Sequence, residues 1–178
     1  PFSVDNSNLN SSFNSADSKI MLAWTNGTAA PYDVNSGLIA YERLPAENIE
    51  LTGDWNNNGS YVHNDGLLTL NGSSAQSVIA GGSAFYDLTI NNAAASGVSF
   101  LDSLAVAGTF TDTTDNSKLI FNAGGTYDLA NINISGSSGN SILLRSSAPG
   151  SSFNFIVSQG SPNADFVDVQ DSNASGGN

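Results

Sequence analysis

Counted from Asp54, the stretch GDWNNNGSYVHNDG at residues 53–66 places Asp54, Asn56 and Asn58 at positions one, three and five, Gly59 at six and Asp65 at twelve. Oxygen-bearing side chains at that spacing are how a calcium loop wraps one ion, with glycine at its sharp turn. Position twelve is an Asp where a bidentate Glu belongs, only two formal charges are on offer, and no helical pattern flanks the segment. The same residues also read as a strand, an Asn-Gly corner with positive φ and a second strand, which needs no ion. The expectation is therefore no required cofactor, with Asp54, Asn56, Asn58 and Asp65 as the calcium candidates.

Other chemistry is thinly supplied. Asp165, Asp168 and Asp171 form a second acidic group, but period-two geometry turns Asp168 away from the other two, which fit corners better than a ligand set. Paired carboxylates for cleaving a polysaccharide need a cleft, and a lyase also needs a base. Here the only bases are Lys19, Arg43, Lys118 and Arg145, all far apart in the sequence. His63 is the single histidine, two positions after Tyr61 in a presumed strand, and no G-x-S-x-G elbow accompanies the many serines. No catalytic residue is expected. Trp24, Trp55 and tyrosines 32, 41, 61, 86 and 127 could stack on sugars, yet their number is ordinary and suits core and corner positions. Sequons at Asn10, Asn26, Asn58, Asn71, Asn133 and Asn173 arise readily in a chain this rich in Asn and Ser.

Composition narrows the classes further. Sixteen acids against four bases give a net charge of −12, which repels nucleic acid and anionic membranes. There is no cysteine for a disulfide or thiolate site. No apolar run is long enough to span a membrane, and the start at Pro1, with no signal-like segment, reads as a processed or excised piece.

Any site must therefore be positioned by strands, because helical periodicity is nearly absent; a single turn near LPAENIEL (44–51) is the only candidate. Short apolar alternation recurs in LLTL (67–70), YDLTI (86–90), GVSF (97–100), KLIF (118–121), ANINI (130–134), ILL (142–144), FNFIV (153–157) and DFVDV (165–169). The steps Leu70–Ile90, Phe100–Phe121, Phe121–Leu144 and Leu144–Val167 are 20 to 23 residues, the spacing of a solenoid whose coils bury their inner face only by stacking. Asn71, Asn91 and Asn122 each follow an apolar-x-apolar strand and are expected as corner residues, tolerant of left-handed backbone and able to bond from coil to coil. A β-sandwich competes, but it predicts longer hairpin strands than these.

From Gly53 on, GDWNNNGSYVHNDGLLTLNGSSAQSVIAGG, FYDLTINN, ILLRSSAPGSSFNFIVS and FVDVQDSNASGGN resemble the right-handed parallel β-helix repeats of large secreted or surface-attached bacterial proteins, of the adhesin and autotransporter-passenger kind. The resemblance implies an all-β, extracellular or cell-surface stack and carries over no catalytic residues. The expected organisation is an N-terminal cap or strand-exchange segment, residues 1–52, and a β-solenoid of five to six coils, residues 53–178. KIMLAW (19–24) and GLIAYERL (37–44) read as strands within the first part. The expected function is structural or adhesive: a homo-oligomer or polymer joined through its ends, at Val167 and Val169, or by N-terminal strand addition, at Phe2 and Val4. Surface glycans are a second partner class, and a carbohydrate-binding or carbohydrate-cleaving β-helix is the alternative function. A surface- or ice-binding solenoid would need a flat face of repeated Thr, and Thr69, Thr89, Thr109 and Thr111 show no strict register in the sequence.

Overall fold

The computed structural model describes residues 48–176; Phe2, Val4 and the strands expected at 19–24 and 37–44 lie outside them. Fifteen short strands follow: β1 Ile49–Leu51, β2 Trp55–Asn56, β3 Leu67–Leu70, β4 Gln76–Ile79, β5 Ala84–Phe85, β6 Asp87–Ile90, β7 Val98–Phe100 and β8 Leu104–Asp112, then β9 Lys118–Phe121, β10 Thr126–Ser135, β11 Ile142–Ser146, β12 Phe153–Val157, β13 Asn163–Asp165, β14 Val167–Val169 and β15 Ser172–Asn173. Every strand pairing is parallel, and each joins one coil to the next. The chain is a parallel β-solenoid of about six turns, stepping through β1, β3, β6, β8, β10, β12 and β15 on one side and β2, β4, β7, β9, β11 and β14 on another.

Each full coil has three faces. β5 and the opening residues of β8 and β10 belong to the first, β6 and the closing residues of β8 and β10 to the second, and β7, β9 and β11 to the third. The bend between the first two falls inside β8 and β10, where the register shifts between Leu129 and Asn131. At the corner before the third face, Gly97 has φ 75° and passes so close to the next coil that a Cβ would lie 2.2 Å from the Lys118 carbonyl oxygen. No other residue type fits there.

Alternation fixes what each face buries. On the second face Leu68, Leu88, Phe110 and Ile132 stack in one inner column, and Leu70, Ile90, Asp112 and Ile134 in the next. On the third, Val98, Leu119 and Leu144 continue a column that opens on buried Gln76. Aromatic rings fill the centre: Phe121 stacks on Phe100 at 5.2 Å and on Phe153 at 4.6 Å, with Tyr127 edge-on at 4.7 Å.

Several sequence expectations change. The described stack already includes Ile49, which pairs with Leu68, so the expected boundary at 52/53 falls inside a described coil. Leu70–Ile90 and Phe100–Phe121 are true coil steps, but Phe121 pairs with Ser146 and Leu144 with Val169, because two corners hold extra residues. Phe166, at φ 48°, breaks the strand expected over 165–169 into β13 and β14. Thr69, Thr89 and Thr111 do stack in register on the outward side of the second face. Their steps of 20 and 22 residues hid this, since coils of unequal length share no fixed period.

Phe121 is 1% exposed between two stacked rings. Replacing it by Ala is expected to cost about 3–5 kcal/mol in urea unfolding, the usual range for emptying a buried aromatic site. A loss below about 1 kcal/mol would mean the ring column is not what holds the coils.

Candidate functional site

The expected calcium segment holds only the two-residue strand β2, with a bend at residues 58–59. Asp54 and Asn56 are exposed on either side of half-buried Trp55, roughly 6–7 Å apart as strand spacing requires. The Asp54 carboxylate instead accepts the Ser77 backbone N–H of the next coil at 2.7 Å. Asp65 lies further along, at φ 60° beside Asn64 at φ 45°, and its N–H donates to His63 Nδ1 at 3.0 Å. The positive-φ corner therefore falls at Asn64–Asp65 and not at Asn58–Gly59.

Asn57, between the candidates, ties this segment to the next coil. Its side-chain amide donates to the Ala80 carbonyl at 2.9 Å and to Ser83 Oγ at 3.0 Å, and its oxygen accepts from Gly59 N–H at 3.0 Å. Trp55 packs edge-on against Tyr61 at 4.8 Å and Phe85 at 5.5 Å, closing the core at this end of the described stack. Tyr61 and His63 are not in a strand; the His63 ring lies against Tyr86 at 5.6 Å.

The same use of acids repeats along the chain. The Asp87 carboxylate accepts from Thr109 N–H at 2.7 Å, Asp102 from both Ala80 and Gly81 N–H at 2.8 Å, and Asp171 from Gly150 N–H at 3.0 Å. Each reaches an amide of a neighbouring coil that the corner leaves without a strand partner. Charged acceptors make the stronger class of hydrogen bond, so these carboxylates act as staples between turns. Asp168 pairs with Arg145, whose guanidinium sits 2.7 Å from its carboxylate and also donates to the Asp168 carbonyl at 2.6 Å. Of the second acidic group, Asp165 lies in β13, Asp168 in β14 and Asp171 in a left-handed corner at φ 59°. Among the described residues no three His, Cys, Asp or Glu side chains come together as a metal group.

Asn71, Asn91 and Asn122 stand at strand ends as expected, but none has positive φ. Asn71 and Asn91 follow paired residues of the second face, whereas Asn122 follows the third, so the three do not form one column. Asn71 Nδ2 donates to Glu50 at 3.3 Å, while its Oδ1 is buried without a partner. The amide that sequence reasoning missed is Asn92: fully buried, it donates to the Ser74 carbonyl at 2.8 Å and to Gln76 Oε1 at 2.9 Å. Gln76 in turn takes Gly72 N–H and donates to the Leu51 carbonyl of the first coil. Nothing but an Asn pair, Asn91-Asn92, marked that corner in the sequence.

One coil on, the same corner holds Asp112, fully buried in the column between Ile90 and Ile134. Thr114 N–H donates to it at 2.9 Å, and the Ser117 hydroxyl bonds its other oxygen. Burial pushes its pKa up from 3.8 to about 6, and these hydrogen bonds only partly offset that. Val167 and Val169, the expected assembly residues, extend the inner columns of Ile142 and Leu144; Val169 is 50% exposed and Phe166 beside them 51%. No family model, curated protein or solved structure matches the chain.

Two outcomes follow from these contacts. The folded state holds the Asp112 proton more tightly than the unfolded chain, so its favourable contribution is complete below about pH 4 and is lost as pH rises through about 6. Stability should fall by up to about 3 kcal/mol over that window, and Asp112→Asn should flatten this part of the profile in urea melts at stepped pH. Asp54→Ala should cost about 1 kcal/mol through the lost Ser77 bond, equally with and without millimolar calcium. A calcium-dependent rise in melting temperature that the variant abolishes would restore the ion-binding reading.

Proposed function

We propose that this chain is an extracellular or cell-surface structural element, of the adhesin and autotransporter-passenger kind its repeats resemble, and that it acts without catalysis by joining copies of itself end to end. The observation that supports this best is the last described coil. Val167 and Val169 extend inner columns of the stack yet remain half-buried and exposed respectively, with Phe166 exposed at the adjoining corner. The free side of β14 offers backbone N–H and C=O groups to a further parallel strand. The first described coil offers an apolar counterpart, with half-buried Ile49 and Leu51 at the head of the second-face columns and Trp55 on the third face. Such a head-to-tail contact does not close on itself, and it therefore generates filaments.

The use of the acids fits the same reading. Asp54, Asp87, Asp102 and Asp171 are bound to backbone amides and hold turns together, which is the chemistry of a scaffold. A net charge of −12 opposes association at low salt, so screening should favour it.

Sedimentation velocity and negative-stain microscopy over a concentration series check this directly. The 178-residue chain should form linear oligomers that lengthen as salt rises, and the Val167→Asp, Val169→Asp double variant should stay monomeric with an unchanged far-UV spectrum. Dispersed wild-type monomers at high concentration and high salt would sink the proposal.

A further inference from the structure

The outward side of the second face carries an ordered array that the structural role leaves unused. Its central column runs Glu50, Thr69, Thr89, Thr111, Asn133, Asn163, each paired in register with the next. A flanking column holds Asp87, bonded to Thr109 N–H, and Thr109 paired with Asn131, whose Oδ1 is buried beside Gly160; on the other side Asn71, Asn91 and Thr113 directly follow the paired residues Leu70, Ile90 and Asp112. Within β8 and its end, Thr109, Thr111 and Thr113 alternate with buried Phe110 and Asp112, which gives three threonines in one row. Parallel pairing sets the repeat at about 4.8 Å from coil to coil and about 6.6 Å from one outward residue to the next along a strand. The result is a two-dimensional grid of methyl, hydroxyl and amide groups on a surface held rigid by the packed columns beneath it.

Two further observations say what such a grid fits. The hydroxyls of Thr69, Thr89, Thr109 and Thr111 make no hydrogen bond inside the protein, unlike that of Thr114, which donates to the Ile90 carbonyl. Their bonding capacity is directed to whatever lies outside. The three columns also contain no aromatic ring to stack on a sugar and no cation to meet a phosphate or carboxylate; both described bases, Lys118 and Arg145, lie in third-face strands. Glu50 sits at the first described coil, the Asp87 carboxylate on the flanking side is taken up by Thr109 N–H, and no acid occupies the central column between Glu50 and Asn163. A partner for this surface must be neutral, periodic on the ångström scale, and recognised through many weak water-type hydrogen bonds and methyl contacts made at once.

We propose that the outward Thr/Asn face of β3, β6, β8 and β10 binds the surface of crystalline ice. Waters anchored at the hydroxyls and spaced by the methyl groups repeat on a lattice of the right order, and a rigid grid adds up contacts that singly are too weak to hold. This surface is lateral, so it stays available whether or not coils stack end to end.

The test uses the whole chain in an ice-recrystallisation assay and in ice-plane affinity with fluorescently labelled protein. Wild type should suppress grain growth at micromolar concentration and decorate a defined plane. Thr111→Tyr, which raises a bulky ring from the middle of the grid, should raise the concentration required at least tenfold. Ser99→Tyr, on the outward side of the third face, should leave it unchanged. If Thr111→Tyr fails to fold by circular dichroism, Thr89→Lys probes the same face one coil earlier. Wild type no better than an inert protein of equal size overturns the proposal. So does an equal effect of Thr111→Tyr and Ser99→Tyr, or binding to crystalline cellulose or chitin that is sensitive to Thr111→Tyr with no effect on ice.

Discussion

No coil of this chain can bury its own inner residues. A turn of the solenoid contributes two or three apolar side chains per face, and they leave water only when the equivalent residues of the coils above and below close over them. Registration between coils is the constraint from which the rest follows. Leu68 is fully buried because Leu88 lies on it, Leu88 because Phe110 does, and so along the column to Ile132. The ring stack of Phe100, Phe121 and Phe153 is the same rule with larger side chains, where offset faces add to the area removed from water.

Corners absorb what the strands cannot vary. Coil steps range from 19 residues, between Ile49 and Leu68, to 30, between Asn133 and Asn163, while the paired strands stay in register. The surplus is taken up in turns whose amides lack strand partners, and there the acids appear. Asp102 closing on Ala80 and Gly81, and Asp171 on Gly150, satisfy donors that would otherwise depend on water alone. A chain with few charges has placed a large share of its carboxylates where turns need acceptors. The buried amides of Gln76 and Asn92 carry the same logic inward by linking three successive coils, while buried Asp112 closes its own turn through Thr114 and Ser117.

Period-two alternation located LLTL, KLIF and FNFIV to the residue, since each buries alternate side chains on a face that is paired on both sides. It passed over β4 and β8, where Gln76 and Asp112 occupy inward positions that a hydrophobicity pattern assigns outward. The repeat was visible in its length but not in its register, because corners of unequal size shift Leu144 from Phe121 to Leu119. The calcium spacing from Asp54 to Asp65 was legible as a count, but a linear count does not show that the Asp54 carboxylate reaches the Ser77 N–H of the next coil. The staples made by Asp87 and Asp102 were not legible at all, since each partner lies a full coil away and no local signal marks it.

Parallel coils also decide how the molecule meets tension. The ladder bonds run along the stacking direction, so a pull applied at one end of the chain loads the outermost coil before any other. Arg145 holding Asp168 and Asp171 holding Gly150 N–H are latches on the last described coil. Once they open, a turn the size of the one from Val78 to Phe100, 22 residues, pays out roughly 70–80 Å of extended chain. The next coil then presents the same small barrier. Stretched this way the solenoid lengthens stepwise, dissipating work one turn at a time while the remainder keeps its shape, as a shock absorber does.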